Sequence, residues 1–295
     1  MRVFVTGATG WVGSATVREL IAHGHSVLGL TRSDEGAEAL KAAGAEVHRG
    51  TLEDLDSLRR GAAAADGVIH CAFIHDFTRF AENGQVDKRA IEAMGEVIAG
   101  TGKPLIVTSG TAMLAPGGVA TEDLVIPAGY PSPRQSEPAG LAFAERGVRA
   151  MVMRLPPSVH GAGDKGFVPT LIGVAKAKGV SAYIGEGANR WTAGHRLDAA
   201  LAYRLAIEKG TAGARYHPID EEGIPFRDIA TAIGQGLGLP VVSLTPEQAA
   251  EHFGFFVMFA GMDAAATSAK TRTALGWAPT QPGLLADMAA NYFGG

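Results

Sequence analysis

The sequence predicts an α/β fold, a doubly wound parallel sheet with helices on both faces, and three observations support this prediction. Residues 2–5 form a short apolar, β-branched run of strand length. A glycine-rich turn follows and passes directly into a helical pattern of apolar residues that stops at Gly24. Strand-like and helix-like segments then alternate as far as Pro156 and Pro157. Because this alternation requires crossover connections, it indicates a parallel sheet covered on both sides.

The first part of the chain is punctuated regularly enough for its elements to be set out in order. Apolar residues recur at helical spacing from Trp11 to Ile21. Gly44 ends the second predicted helix, and Gly147 ends the last one in this part. The later predicted strands lie at 26–31, 45–48, 68–72, 105–109 and 148–155. The later predicted helices lie at 34–43 and 83–99, and residues 141–146 are predicted as part of another helix.

The glycine-rich turn has the chemistry of a phosphate site. Gly7, Gly10 and Gly13 follow a G-x-x-G-x-x-G spacing rather than the commoner G-x-G-x-x-G. Glycines permit a tight turn and let backbone N–H groups approach a pyrophosphate, and the N-terminus of the following helix adds partial positive charge. We therefore predict a dinucleotide cofactor at this turn, an ordinary structural turn being the alternative.

The alternating pattern loosens after the two prolines. The later segments include predicted helices at 199–207 and 226–237 and a strand near Tyr216. We predict a dinucleotide-binding domain at residues 1–157 and a smaller, discontinuous, mainly substrate-binding region at residues 158–295, with some segments returning to the first sheet. Since open α/β sheets bind ligands at the carboxyl ends of their strands, this region is expected to lie there.

Composition excludes several classes of protein. With 295 residues and 46% hydrophobic content, the chain can bury a sizeable core. A formal net charge of −4 argues against nucleic acid as the main partner. The single cysteine, Cys71, excludes an internal disulfide and a cysteine-cluster metal site. We see no signal peptide and no apolar run of membrane-spanning length, so we expect a cytoplasmic protein with neither a membrane partner nor a metal.

The end of the second predicted strand bears on the choice of cofactor. There an acid would bind the ribose 2′-hydroxyl of NAD(H), whereas an arginine accommodates the 2′-phosphate of NADP(H). The sequence places Arg32 and Ser33 at this point. Asp34 and Glu35 are alternative ribose ligands, but Ser33 can cap a helix whose first turn favours acids. We predict NADP(H) rather than NAD(H), an exposed loop arginine being the alternative for Arg32.

Five motifs together resemble the short-chain dehydrogenase/reductase superfamily, in its extended or atypical branch of NAD-dependent epimerase/dehydratase-like proteins. They lie at residues 6–13, 68–72, 107–111, 154–161 and 194–200, so the resemblance spans nearly the whole chain. It implies a Rossmann fold and, because members of the extended branch often form dimers, a homodimer.

The resemblance extends the predicted cofactor site beyond the glycine turn and Arg32. Residues 51–52 fall near the adenine, although the usual acid is missing there, and residues 156–159 fall near the nicotinamide. For Cys71 a small buried thiol is the alternative. The full set of predicted cofactor contacts is Gly7, Thr9, Gly10, Trp11, Val12, Gly13, Arg32, Ser33, Thr51, Leu52, Cys71, Ala72, Phe73, Thr108, Pro156, Ser158 and Val159.

The predicted catalytic motif departs from the superfamily pattern. The resemblance implies a tyrosine that transfers a proton and a lysine four residues later that lowers its pKa. The sequence offers Tyr130, but Arg134 stands in the place of the lysine. Arginine supplies a fixed charge that favours the phenolate, and a forked donor for ribose hydroxyls. A plain loop aromatic is the alternative for Tyr130, because two intervening prolines leave its helical alignment with Arg134 open.

Three more residues complete the candidate catalytic set. Ser109 and Thr111 flank the position that the resemblance assigns to a substrate-orienting hydroxyl, and either could instead satisfy a strand-end backbone group. Asp87 matches the position of the catalytic asparagine of the family. The alternative for Asp87 is a pairing with Lys88 or Arg89 on a solvated helix face.

Other conspicuous side chains receive structural interpretations. We expect packing and hydrogen-bonding roles for His160 and His195, and a structural role for Asp198, which would tie the smaller region to the sheet. Residues 253–259 contain four phenylalanines and Met258, which could form an apolar substrate wall or a dimer surface. Burial in the core is the favoured interpretation, because aromatic clusters usually pack internally.

The sequence therefore predicts an NADPH-dependent reductase that transfers hydride to a C=O or C=N group of a small, mainly hydrophobic molecule. One alternative is an epimerase or dehydratase acting on a nucleotide sugar, for which Lys165, Lys176 and Lys178 are candidate diphosphate contacts. Another is an NADP-binding sensor without catalytic activity, which the missing lysine and asparagine suggest.

Overall fold

The computed structural model describes residues 1–112, 114–127 and 134–294. The strands are β1 (Arg2–Thr6), β2 (Ser26–Thr31), β3 (Glu46–Arg49), β4 (Gly67–His70), β5 (Pro104–Gly110), β6 (Val119–Ala120), β7 (Arg149–Leu155), β8 (Ser158–His160), β9 (Ser181–Ile184), β10 (Arg190–His195), β11 (Arg215–Tyr216), β12 (Glu221–Pro225), β13 (Val241–Leu244) and β14 (Ala265–Ala266). The helices are α1 (Trp11–Ala22), α2 (Asp34–Ala42), α3 (Leu55–Ala63), α4 (Phe80–Ile98), α5 (Ser136–Leu141), α6 (Phe167–Lys178), α7 (Arg196–Lys209), α8 (Phe226–Leu237), α9 (Pro246–Phe253), α10 (Val257–Ala260), α11 (Ala269–Leu275) and α12 (Leu284–Asn291).

The main sheet has seven parallel strands in the order β11-β7-β5-β4-β1-β2-β3. Successive residues of each strand face opposite sides, and both sides are buried. Val3 and Val5 pack in one core with α1 and α7, whereas Phe4 packs in the other with α3 and α4. This arrangement explains the continuous apolar strands and confirms the predicted doubly wound sheet.

Most predicted elements are present, with shifted ends. The predicted bounds of β2 and of α8 match the structure, while α4 begins three residues earlier than predicted, at Phe80. Residues 141–146 are predicted as part of one helix, but the structure divides them: α5 lies at Ser136–Leu141, and a separate 3-10 helix follows at Ala144–Arg146. The left-handed Gly147 closes this segment as predicted, but the helical turns begin upstream and are interrupted.

Helix α3 is absent from the sequence prediction. Its signal was nevertheless present, because Leu55, Leu58 and Ala62 recur at helical spacing and pack against one core. The Asp54 side chain accepts a hydrogen bond from the Ser57 amide and caps the helix.

The later part of the chain forms smaller sheets around its own core. One three-stranded sheet has the order β12-β10-β8, and β13 pairs with β9. Segments of this part also return to the main sheet: β11 adds to its edge, and α7 packs beside α1. The division into a cofactor-binding domain and a substrate-binding region stays a prediction.

The aromatic stretch near residue 255 divides between core and surface. Phe253 and Phe256 are buried beside Trp191, as the core interpretation predicts. Phe255 and Met258 are 76% and 58% exposed, so that interpretation is wrong for these two residues. No helix in the described part of the chain has the length and apolar character needed to span a membrane.

Candidate functional site

The glycine turn lies at the carboxyl end of β1, pressed against the chain that leaves β4. Gly7 has a φ of 64°, and a Cβ atom there would lie 2.7 Å from the amide nitrogen of Ala72. A Cβ atom on Gly13 would lie 2.0 Å from the carbonyl oxygen of Gly7. Glycine is therefore required at both positions for α1 to begin this close to the turn.

Trp11 fastens the glycine turn to β8. Its indole Nε1 donates a hydrogen bond to the carbonyl oxygen of Val159 at 2.6 Å. The Arg196 guanidinium stacks over the Trp11 side chain, 4.1 Å from the centre of its ring. Two segments that the sequence assigned to the cofactor, the turn and residues 156–159, are thus brought together, and Arg196 is a neighbour that sequence reasoning missed.

The residues of this cleft fit a dinucleotide. Gly10 precedes α1 without a side-chain cap, so the first-turn amides are left for an anionic ligand. The Ser158 hydroxyl is buried and has no hydrogen-bond partner in the described part of the chain. A buried polar atom without a partner is costly, which is consistent with a partner supplied by a ligand.

The end of β2 bears out the capping interpretation. The Ser33 hydroxyl accepts a hydrogen bond from the Gly36 amide at 3.1 Å, with Asp34 and Glu35 in the first turn of α2. Asp34 forms an ion pair with Arg49, on β3. Arg32 is exposed and has no ion pair among the described residues. Asp34 therefore has a cationic partner, whereas Arg32 has no acidic partner in the described part of the chain.

Residues 51–52 contribute mainly local contacts. The Thr51 hydroxyl accepts hydrogen bonds from the amides of Glu53 and Asp54 at 3.2 and 3.3 Å. Leu52 packs against the core on the α3 side. Their predicted contact with the adenine stays a prediction.

Tyr130 lies outside the described residues, but Arg134 is described and is held firmly. Its Nη2 donates a hydrogen bond to the carbonyl oxygen of Thr108 at 2.8 Å, at the carboxyl end of β5. The guanidinium lies 4.4 Å from the ring centre of Phe73. Burial lowers the pKa of Arg134, and the neighbouring Asp87 opposes that effect. Arg134 thus stands beside two predicted cofactor contacts.

Asp87 is the centre of a buried hydrogen-bonded group. It is only 1% exposed, so the alternative of a solvated pairing with Lys88 or Arg89 is wrong. Its Oδ1 lies 2.9 Å from His70 Nε2, and its Oδ2 accepts a hydrogen bond from the Ser136 hydroxyl at 2.5 Å. Burial alone would raise the pKa of Asp87, but these hydrogen bonds and the charge of Arg134 outweigh it and lower the pKa.

The same group connects Arg134 with the glycine turn. Arg134 Nε donates a hydrogen bond to Ser136 Oγ at 2.9 Å, and His70 Nδ1 lies 2.7 Å from the hydroxyl of Thr6, the last residue before Gly7. We refer to Thr6, His70, Asp87, Arg134 and Ser136 as the Arg134 cluster. Sequence reasoning missed His70 and Ser136, although a histidine that ends a buried apolar strand was a signal.

The remaining catalytic candidates separate into two kinds. Thr111 is buried, and its amide donates to the carbonyl oxygen of Leu155 at 2.9 Å, with its hydroxyl 3.4 Å from the same oxygen. These contacts fit the strand-end alternative. The Ser109 hydroxyl is half-buried and has no hydrogen-bond partner among the described residues, which leaves it for a ligand.

Cys71 is half-buried beside Thr108 and Tyr203. Burial raises the pKa of its thiol to about 12. A thiol with this pKa is protonated at neutral pH, which fits the alternative of a small, unreactive thiol. In the described part of the chain no group of three or more potential metal-ligating side chains is present.

His160, His195 and Asp198 make structural contacts within residues 158–295. His160 Nδ1 lies 2.8 Å from Asp287 Oδ2, and His195 Nδ1 accepts from the Leu197 amide at 3.2 Å, capping α7. Burial lowers the pKa of His195. Asp198 accepts hydrogen bonds from the amides of residues 280 and 281, both at 3.0 Å. These contacts agree with the structural interpretations.

Comparison with known proteins identifies the family. Residues 3–219 match the profile described as the NAD dependent epimerase/dehydratase family. The chain belongs to this family. It is 53% identical to an uncharacterized protein of Schizosaccharomyces pombe, over 99% of this chain and 100% of that protein. It is 28% identical to the 4-hydroxy-2-methyl-3-oxo-4-farnesyl-3,4-dihydroquinoline-1-oxide ketoreductase of Stigmatella aurantiaca, over 86% of this chain and 80% of that protein.

Solved structures of the epimerase/dehydratase type share the fold. The dTDP-glucose 4,6-dehydratase DesIV of Streptomyces venezuelae, solved with NAD bound, superposes with a TM-score of 0.77 and 19% identity, over 99% of this chain and 95% of that chain. At this identity the likeness shows the fold alone. Membership of the epimerase/dehydratase family confirms the predicted resemblance to extended short-chain dehydrogenases/reductases. This family consists of NAD(P)-dependent oxidoreductases and epimerases.

Proposed function

We propose that this protein is an NADPH-dependent reductase that transfers hydride to a C=O or C=N group of a small, mainly hydrophobic molecule. The proposal rests mainly on three features that lie together at the carboxyl ends of the parallel strands. The glycine turn follows β1. Residues 156–159 follow β7 and are joined to the turn by Trp11, and Arg134 donates a hydrogen bond to Thr108 near the end of β5.

The preference for NADPH rests on the contrast between Arg32 and Asp34. Asp34 and Glu35 could bind a ribose 2′-hydroxyl, but both lie in the first turn of a capped helix, and Asp34 is also paired with Arg49. The exposed guanidinium of Arg32 has no ion pair in the described part of the chain, and a 2′-phosphate would provide one.

The bound nicotinamide would supply the hydride. Ser109 would hold the substrate oxygen or nitrogen by hydrogen bonding, because its hydroxyl is not engaged by the described residues. Tyr130 would donate the proton that accompanies the hydride, so that a ketone becomes an alcohol. Arg134 would keep a positive charge beside this step and bind a ribose hydroxyl. The similarity to a ketoreductase supports the proposed reductase activity, whereas the family description is equally consistent with the epimerase/dehydratase alternative.

The test follows oxidation of NADPH and NADH in parallel, against a panel of hydrophobic ketones, aldehydes and cyclic imines. We expect NADPH to be consumed in equal amount to the substrate reduced, and Tyr130→Phe to abolish most of the turnover. Arg32→Gln should weaken NADPH affinity about tenfold, the worth of a charge-assisted phosphate contact, and change NADH affinity less than about twofold.

Arg60→Gln is the matched control, since Arg60 is also exposed but lies on α3. It should alter neither affinity. Equal use of both cofactors, or an equal effect of Arg32→Gln on both, would remove the NADPH preference. Conversion of a nucleotide sugar without net cofactor consumption would establish the epimerase/dehydratase alternative. Tight NADPH binding without any turnover would support the sensor alternative.

A further inference from the structure

We propose that Ser136, Asp87 and His70 are positioning residues that fix the Arg134 guanidinium for the cofactor and tie its position to the glycine turn. The inference rests on the proposed function, in which Arg134 contacts the cofactor. It adds residues that touch neither cofactor nor substrate and act through Arg134.

The direction of each hydrogen bond around Ser136 is determined by chemistry. Arginine Nε can only donate, so the Ser136 oxygen accepts from Arg134 at 2.9 Å. The single proton of that hydroxyl then points to Asp87, whose ionised carboxylate can only accept, at 2.5 Å. One orientation of the hydroxyl satisfies both neighbours. The carboxylate therefore fixes the guanidinium through a hydroxyl that has no second arrangement.

The second carboxylate oxygen continues the connection toward the turn. It lies 2.9 Å from His70 Nε2, which must carry a proton to donate to it. In the neutral ring Nδ1 then accepts, and the Thr6 hydroxyl at 2.7 Å is its donor. The Thr6 hydroxyl oxygen also accepts a hydrogen bond from the Ala72 amide at 3.4 Å, and Ala72 lies against Gly7. Four hydrogen bonds thus link the turn to Arg134.

Burial makes these bonds effective. His70 and Asp87 are each 1% exposed and Ser136 is fully buried, so water does not compete for their partners. The guanidinium at the outer end is half-buried and lies against Phe73 and Thr108, two predicted cofactor contacts. The inner residues are enclosed while the residue that they position faces the cleft.

A double-mutant cycle on NADPH affinity, measured by the fluorescence of the bound cofactor, tests this inference without a substrate. Arg134→Ala should weaken NADPH binding about tenfold, and Ser136→Ala about three- to tenfold, because each removes a charge-assisted contact or its support. The double variant should bind no more weakly than Arg134→Ala alone. Arg134→Lys, which lacks the Nε donor to Ser136, should likewise make Ser136→Ala silent.

Two further variants separate positioning from a general structural effect. Ser181 is a buried serine in the other part of the chain whose hydroxyl donates to the carbonyl oxygen of Ala230 at 2.7 Å. Ser181→Ala should therefore lower thermal stability as Ser136→Ala does, yet leave NADPH affinity unchanged. Asp87→Asn should bind NADPH more tightly than Asp87→Ala, because an amide still accepts from Ser136 and can donate to the other His70 tautomer.

Each contrary result has a distinct meaning. If Ser136→Ala weakens NADPH binding equally with and without the Arg134 side chain, Ser136 does not act through Arg134 and the inference is wrong. If the unmodified protein binds NADPH but Arg134→Ala binds it equally well, the inference is also wrong while the cofactor assignment stands. If the unmodified protein binds neither NADPH nor NADH, the proposed function itself is overturned, and this inference with it.

Discussion

Two neighbouring residues at the start of α5 belong to different buried groups that use an arginine and a carboxylate in different ways. Ser136 joins Arg134 to Asp87 through its hydroxyl, whereas Glu137 pairs directly with Arg154. We refer to Glu137, Arg154, Arg215 and His217 as the Arg154 cluster. In the Arg134 cluster the arginine is half-buried at the cleft, and in the Arg154 cluster it is fully buried.

The Arg154 cluster is built as a structural joint. Arg154 makes two parallel hydrogen bonds to Glu137, at 2.8 and 2.6 Å, and donates to the carbonyl oxygen of Leu124 at 2.7 Å. Arg215 donates to the same carboxylate at 2.6 Å. The joint connects α5 with β7, β11 and residues 121–124. A direct, bidentate pair thus holds elements together in the Arg154 cluster, while the indirect pair of the Arg134 cluster leaves its guanidinium half-buried beside Phe73.

The largest effect is expected when the direct pair is broken. Arg154→Met leaves Glu137 buried with only the hydrogen bond from Arg215, and such a loss costs about 3–5 kcal/mol in the free energy of unfolding. Urea denaturation measures this difference. The matched control is Arg146→Met, which breaks the exposed bidentate pair with Glu96 and should change the free energy of unfolding far less, because water screens that pair. A similar cost for both variants would show that the Arg154 cluster is not a structural joint.

The next largest effect is a pH dependence of stability that arises from His217 in the Arg154 cluster. Burial, together with the charge of Arg154, lowers the pKa of His217 to about 4. Its Nδ1 donates to the carbonyl oxygen of Thr267 at 2.9 Å and its Nε2 faces Arg154, so the ring is neutral in the folded protein. As the pH falls from about 6.5 toward 4, the unfolded chain binds a proton that the folded chain does not.

Stability should therefore fall in this window, by on the order of 2 kcal/mol. His217→Gln should flatten the dependence between pH 6.5 and 4, as followed by denaturation midpoints across pH. Asp87→Asn is the comparison variant from the other cluster and should leave this window unchanged. An unchanged slope in His217→Gln would assign the loss of stability to other groups.

The local sequence is enough to predict the alternating strands and helices, but contacts between residues far apart in the chain are not visible in it. The Ser33 cap could be predicted because its partner, Gly36, lies three residues away. Asp87 could not be placed, because its partners lie 17 and 49 residues away and only the folded sheet brings them together. Asp87 therefore resembled a solvated helix residue beside two cations, although its side chain is enclosed.

A smaller effect is expected from the charge of the Arg134 cluster at low pH. The pKa of Asp87 is lowered, because hydrogen bonds from His70 and Ser136 and the charge of Arg134 outweigh the effect of burial. Its ionised form therefore stabilises the fold above the ordinary pKa of an aspartate, and this contribution is lost as the pH falls through the lowered value. Asp87→Asn should cost about 1–2 kcal/mol at pH 7 and progressively less below about pH 4. A cost that does not change with pH would mean that the carboxylate charge contributes nothing.

The smallest effect concerns Cys71, which follows His70 directly but belongs to neither cluster. Its thiol has a pKa of about 12, because burial disfavours the thiolate more than its contacts with Thr108 and Tyr203 favour it. We expect negligible modification by a thiol reagent at pH 7, and a change of about 1 kcal/mol or less in the stability of Cys71→Ala. If Cys71 is the small buried thiol of the alternative interpretation, NADPH affinity should stay within about twofold, whereas a larger loss would support the predicted cofactor contact. Rapid modification that NADPH prevents would instead place a reactive thiol in the cofactor cleft, and the boundary of the Arg134 cluster would have to include Cys71.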